Sequence, residues 1–127
     1  MKGKMFILAT ALVVAGSLSL AYAADIDNGK ALFESPTFGG GTTGKTCMTC
    51  HPGGEGLGND LFEREEITIM GMKKNRVEEV VNVCIENPMG GSAIDTESEE
   101  MQDVVAYMKT LVDKKGKKKT RRKIEGC

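Results

Sequence analysis

Cys47-Met48-Thr49-Cys50-His51 is the stretch on which the reading of this chain turns. Two residues between the cysteines bring both thiols onto one side of a single helical turn, at the separation of the two vinyl groups of haem. The histidine that follows stands on the same turn, where its imidazole can meet the iron. C-x-x-C-H is the pattern of covalent c-type haem attachment. A neutral imidazole suits iron because one ring nitrogen donates while the other is anchored by an acceptor behind it. His51 is the one histidine of the chain, and it lies inside the motif. The residues therefore imply one haem c per chain, with Cys47 and Cys50 as thioether anchors and His51 as the proximal iron ligand.

Three other chemistries use the same residue types. A zinc knuckle needs a fourth ligand beside Cys47, Cys50 and His51, and only Cys84 or Cys127 is left to supply it. A thioredoxin-like C-x-x-C sits in a βαβ unit, and no parallel-sheet pattern is visible. A plain Cys47–Cys50 disulfide leaves a thin core unexplained, since Phe33, Phe38, Phe62 and Tyr107 are the only aromatics beyond residue 23. A domain this small needs a staple or a filling, and haem is the filling the motif names. Just upstream, Gly39 to Thr46 matches the P-loop pattern G-x-x-x-x-G-K-[ST]. That mechanism requires a strand before the loop and a helix after it. Here a helical segment and Pro36 precede the loop and the haem motif follows at once, so no nucleotide is expected.

The N-terminal pattern predicts export. Lys2 and Lys4 precede an apolar run from Phe6 to Leu20, broken only by Thr10, Gly16, Ser17 and Ser19, and Ala21-Tyr22-Ala23 fits a small-residue cleavage site. The run is shorter than the roughly 20 residues of a membrane span. Residues 1–23 thus read as a signal peptide cleaved after Ala23, with export to the periplasm. The minor alternative is an uncleaved anchor facing the same compartment. Residues 24–112 form the domain, with seven basic and sixteen acidic side chains. So acidic a body speaks against nucleic-acid binding. Residues 113–127 carry eight basic and two acidic side chains and end in Cys127. This block is expected to be a disordered tail, able to dock an acidic partner or an anionic membrane surface. The length of 127 residues leaves no room for a multi-domain enzyme.

Within the domain the periodicity predicts an all-α architecture of three to five short helices separated by glycine loops. Asp25 to Glu34 reads as a helix capped by Asp25 or Asp27 and ended by Ser35-Pro36. Residues 37–46 and Pro52 to Asn59 are glycine-rich loops. Residues 60–72 fit neither period and read as a short helix or turn followed by an extended stretch. Asn75 and Glu78 have capping-box spacing ahead of Val77, Val80, Val81 and Cys84, a helical stripe that Asn87-Pro88 stops. Cys84 reads as a small buried residue of that stripe. Thr96 and Glu99 repeat the box before Met101, Val104, Val105, Met108, Leu111 and Val112, the longest apolar stripe of the chain. The sixth iron ligand falls among the methionines. Met101 and Met108 belong to the stripe, Met48 to the proximal turn, and Met70, Met72 and Met89 remain.

From Asn28 to Leu111 the chain resembles the small class I c-type cytochromes. Gly29-Lys30-Ala31-Leu32-Phe33 is similar to that family's N-terminal helix, and Ala106-Tyr107-Met108-Lys109 to its C-terminal helix. The resemblance implies that these helices cross tightly, with Gly29 and Phe33 against Tyr107. It implies Met89, in a loop after Asn87-Pro88, as the distal ligand, with Met70 or Met72 as the fallback and a Cys84 thiolate as a minor alternative. Leu61 is implied as haem packing. Two departures stand out. The interval from His51 to Met89 is short, which implies a trimmed loop and more exposed haem edges. Gly58-Asn59-Asp60-Leu61 lacks the proline whose carbonyl in the family accepts from the proximal histidine, so the acceptor for His51 is open. The implied function is non-catalytic: a periplasmic carrier of single electrons between donor and acceptor proteins. The alternatives are a haem subunit of a larger oxidoreductase complex, such as a sulfur-oxidising or terminal reductase assembly, and a five-coordinate gas-binding haem protein.

Overall fold

The computed structural model describes residues 22–124, with side chains as far as Lys114. Apart from Tyr22 and Ala23 the expected signal peptide lies outside the described residues, as does Cys127. Helix α1 spans Ile26–Phe33 and starts where the Asp25 carboxylate accepts from the amides of Asp27 at 2.9 Å and Asn28 at 3.0 Å. Those two amides belong to the helix's unpaired first turn, which is why an aspartate stands there. Helix α2 is the single turn Cys47–Cys50, α3 spans Val77–Glu86 and α4 spans Glu99–Ile124. Three 3₁₀ turns, at Phe38–Gly40, Pro52–Gly54 and Leu61–Glu63, join them.

The crossing of α1 and α4 organises the core. Gly29 is buried in that crossing, and a Cβ on it would overlap the Asp103 carbonyl and touch the Tyr107 Cβ. Only glycine allows two helix backbones so close. Beside it the rings of Phe33 and Tyr107 meet edge to face, centroids 5.5 Å apart at 68°, an arrangement favoured by the ring quadrupoles. Gly29, Phe33 and Tyr107 thus make the contact that the resemblance implies. Met101, Val104, Met108, Leu111 and Val112 are buried along α4 and Val105 packs against their edge, so the apolar stripe is the face that builds the core.

Four expectations change. The domain is helix-rich but not all-α: β1, Ile67–Ile69, pairs antiparallel with β2, Met72–Lys74, in the register Ile67↔Lys74 and Ile69↔Met72. The two-residue turn between them has φ of 50° at Met70 and 77° at Gly71. Positive φ at both positions is the hairpin geometry that matches strand twist, so the extended stretch expected after Leu61 is one arm of a hairpin. Helix α3 starts later than the Asn75–Glu78 box suggests. Arg76 occupies the cap position without a side-chain bond, and the Asn75 amide donates instead to the Glu79 carboxylate at 3.2 Å. Arg76 is turned outward to Glu97 at 2.7 Å and Glu78 at 3.3 Å. In α4 the cap is Ser98 rather than Thr96, its hydroxyl accepting from the Met101 amide at 3.3 Å. Thr96 is consumed by a turn that the Ser98 amide closes on the Asp95 carbonyl at 3.1 Å.

The fourth change concerns the basic tail. Its main chain continues α4 without a break through Gly116 to Ile124, where disorder from residue 113 was expected. Lysine and arginine are good helix formers, and a helix already nucleated in the core adds residues without a new nucleation cost. Among the described residues no helix is long and apolar enough to cross a membrane.

Candidate functional site

The one-turn helix α2 is held by its own capping box. The Thr46 hydroxyl accepts from the Thr49 amide at 3.1 Å, and the Thr46 amide donates back to the Thr49 hydroxyl at 3.0 Å. The two threonines thereby fix the turn that carries both thiols, and Cys47 and Cys50 are presented together. The His51 amide closes the turn on the Cys47 carbonyl at 2.9 Å.

His51 has an acceptor. Its Nδ1 lies 2.8 Å from the main-chain carbonyl oxygen of Glu55, four residues on in the loop that the 3₁₀ turn at Pro52–Gly54 bends back. This carbonyl fills the role left open by the missing proline at Gly58-Asn59-Asp60-Leu61. With Nδ1 donating to this carbonyl, Nε2 is the ring nitrogen left to face a ligand. Such anchoring from behind fixes the tautomer and ring orientation of a histidine ligand. The sequence carries no side-chain signal for it because the acceptor is backbone.

Met89 lies in a loop that is tied down on two sides. Its carbonyl accepts from the amides of Thr42 at 2.9 Å and Thr43 at 3.2 Å, and the hydroxyls of Thr43 and Thr42 donate to the carbonyls of Pro88 at 2.8 Å and Gly90 at 3.0 Å. On the other side its amide donates to the Cys84 carbonyl at 3.2 Å and the Gly91 amide to that of Ile85 at 2.9 Å. A Cβ on Gly91 would overlap the Gly39 carbonyl, so the two glycine segments meet backbone to backbone. The P-loop-like stretch Gly39 to Thr46 therefore serves as the brace of the Met89 loop. Neither Thr42 nor Thr43 was legible as a site residue, because their partners lie more than 40 residues further along the chain.

The parts meet around a cavity of about 260 Å³ that opens to solvent, lined by Cys47, Cys50, His51 and Met89. Its remaining wall is mostly apolar, with Phe33, Leu57, Leu61, Ile67, Val81 and Met108 among the lining residues. Met89 is only 2 % exposed. The fallback ligands are elsewhere: Met70 is 62 % and Met72 39 % exposed, at the hairpin turn, and neither lines the cavity. Leu61 is buried and lines it. Cys84 also lines it rather than being lost in the helix packing, and Cys47, Cys50 and Cys84 are all free thiols. Among the described residues, no three Cys, His, Asp or Glu side chains converge on a point as an ion cage requires.

The electrostatics fit an apolar chamber. Burial, then the neighbouring Cys84 and Cys50 sulfurs, push the Cys47 thiol up to about 11, and burial followed by Cys50 raises Cys84. At neutral pH both are therefore uncharged and compatible with the wall they form. Arg64 also reaches the lining, and its guanidinium donates to Asp60 at 2.6 Å. That hydrogen bond holds the Asp60 carboxyl below its ordinary range and raises Arg64.

No family model, no curated protein and no solved structure matches this chain. What the residues can do must accordingly be read from the cavity.

Proposed function

We propose that this chain is an exported electron carrier that works through one covalently attached, His/Met-ligated haem c. The observation that carries the reading is that Met89, remote in sequence, lines the same apolar cavity as Cys47, Cys50 and His51. The residues present fit such a group. Two thiols on one helical turn would hold it as thioethers, His51 and Met89 would supply nitrogen and sulfur ligands to its iron, and the aliphatic wall suits an apolar group. When bound there, haem supplies a one-electron couple.

The chain's own residues do the rest. The Glu55 carbonyl orients the His51 ring, and the Thr42–Thr43 brace holds the Met89 loop in place. A neutral thioether ligand raises the potential relative to more basic ligation. Leu57, Leu61, Ile67 and Val81 exclude water, which limits reorganisation around the centre. No substrate pocket is needed. The acidic body would steer the carrier toward basic partner surfaces, an attraction that salt screens.

The deciding experiment is an oxidised and reduced visible spectrum of the exported protein, repeated after denaturation and acid–solvent extraction. Haem that stays on the polypeptide, with a six-coordinate low-spin spectrum and the weak far-red band of iron–methionine sulfur, is the expected result. Extractable or absent haem overturns the proposal. Covalent haem with a high-spin spectrum moves the function to gas or small-ligand binding.

A second reading, a haem subunit of a larger oxidoreductase, draws on the continuation of α4 into the basic segment. It requires that deletion of residues 114–127 abolish co-purification of a complex. A monomer before and after deletion leaves the free carrier.

A further inference from the structure

The junction of α1 and α4 holds a carboxylate that the electron-transfer reading does not use. Asp103 is 1 % exposed, and three donors converge on it: the Asp25 amide at 2.6 Å, the Asn28 side-chain amide at 2.7 Å and the Tyr22 hydroxyl at 2.8 Å. All are neutral. No Lys or Arg pairs with Asp103, Asp25 or Glu99 among the described residues. A buried carboxylate without a cation is uncommon, because desolvation penalises the charge unless it is paired.

One of the three donors does not survive export. Cleavage after Ala23 removes Tyr22 and creates a positive charge on the nitrogen of Ala24, a single peptide link from the Asp25 amide that already donates to Asp103. We infer that the α-ammonium of Ala24 takes the place of the Tyr22 hydroxyl on Asp103, so that processing of the chain completes the α1–α4 junction with an ion pair at its exposed edge. The exchange replaces a neutral donor by a cation at the site where a cation is missing. The pair would lie beside the point where Gly29, one turn further along α1, seats on the Asp103 backbone. In the unprocessed chain the surroundings already act on Tyr22: the hydrogen bond to Asp103, then burial and the charges of Asp103, Glu99 and Asp25, push its phenol up to about 12. The same carboxylates would favour a protonated amine.

The inference rests on the cleavage point and is independent of whether haem is bound. The charged groups that act on Tyr22, whose place the terminus would take, are Asp103 and Glu99 from α4 and Asp25 from the start of α1, and Asn28 shares the Asp103 carboxylate. All the charged ones are carboxylates, so the terminus is driven in one direction only. Its folded pKa rises above the ordinary value of about 7.7–8.0. The stabilisation is then full below that value and is lost as pH rises through the raised one.

The test uses the mature protein purified after export. Intact mass and N-terminal sequencing first establish the terminus, and a terminus other than Ala24 overturns the inference at that step. With Ala24 labelled in its carbons, NMR titration between about pH 6 and 11 then reads the α-amino group directly. We expect a midpoint at least about one pH unit above a free terminus, and an ordinary midpoint in Asp103→Asn. A midpoint in the ordinary range in the unaltered mature protein overturns it. If Asp103→Asn fails to fold, a mature chain with one glycine added before Ala24 serves. It displaces the charge and should lose the alkaline fall in thermal midpoint, and an unchanged pH profile again overturns the pairing.

Discussion

Nδ1 of His51 lies 2.8 Å from the carbonyl oxygen of Glu55, and the chain leaves that carbonyl through Gly56 at a φ of 78°. The anchoring of the histidine is therefore a property of loop shape. Changing the Glu55 side chain to Gln should leave the spectrum and midpoint potential unchanged, because the carbonyl stays. Gly56→Ala places a side chain in the left-handed region, against the imidazole at 3.4 Å. It should cost about 1–2 kcal/mol and shift the potential, since the His51 ring is re-aimed. Denaturant unfolding and potentiometry on the two variants check this, and equal behaviour would refute it.

Met89→Ala should leave haem attached while abolishing the low-spin methionine-ligated spectrum. The loss of a nearly fully buried side chain should also cost about 2–5 kcal/mol. Met70→Leu and Met72→Leu, at the exposed hairpin turn, should change neither. Thr43→Val removes one bond of the brace, the one to Pro88, and should cost about 1 kcal/mol while weakening the far-red band. Optical spectra of the four variants decide it, and an unchanged spectrum in Met89→Ala rules out the ligand.

Gly29→Ala should destabilise the domain by about 1–3 kcal/mol, the usual range for overpacking, because the new methyl meets the Asp103 carbonyl, which is backbone and cannot rotate away. Lys30→Ala, next along the helix but exposed with only a surface ion pair to Glu34, should be close to neutral. Comparing the two in guanidinium separates the close crossing from any general sensitivity of α1.

Stability should fall in acid in a manner traceable to Asp103. Burial pushes its carboxyl up, but the donors from Asn28, Asp25 and, before cleavage, Tyr22 together hold it below the ordinary range. A depressed folded value means that its contribution is complete above the unfolded pKa of about 3.9 and disappears as pH falls through the lower folded value. Asp103→Asn should be less stable near neutrality, by about 1.5–3 kcal/mol for hydrogen bonds lost to a charged acceptor. Its stability should change less than that of the unaltered protein between about pH 2 and 6. Parallel acid profiles in a urea series would contradict this.

Local chemistry in this chain was legible wherever partners are close in sequence. The thiols and imidazole of Cys47, Cys50 and His51 share one turn, the Asp25 cap bonds to residues two and three places on, and the stripe from Met101 to Val112 repeats with the helix. Each is decided by covalent spacing and helical period, which a linear reading contains. Boundaries were less legible. Both capping boxes, at Asn75 and Thr96, had correct spacing, but the Asn75 amide is taken by the Glu79 carboxylate and Thr96 by a turn, and a backbone group makes only one set of bonds. The extended stretch after Leu61 was seen without its return arm because Met70 is an unusual residue for a position with positive φ.

Other features emerge only from contacts between distant segments. Whether Met89, Met70 or Met72 faces the thiols depends on which segment closes over the cavity, and every methionine offers the same sulfur. The acceptor for His51 is a main-chain carbonyl, identical in every residue, so only the path of the loop selects Glu55. The glycine-rich stretch before the cysteines resembled a phosphate cradle, and its work as a brace became visible only when Pro88 to Gly90 came to lie beside it. Read alone, the order of residues settles which atoms are available for chemistry. Their convergence on one apolar cavity follows from the α1–α4 crossing at Gly29 and the braced loop at Met89, because long-range packing chooses among chemically equal candidates.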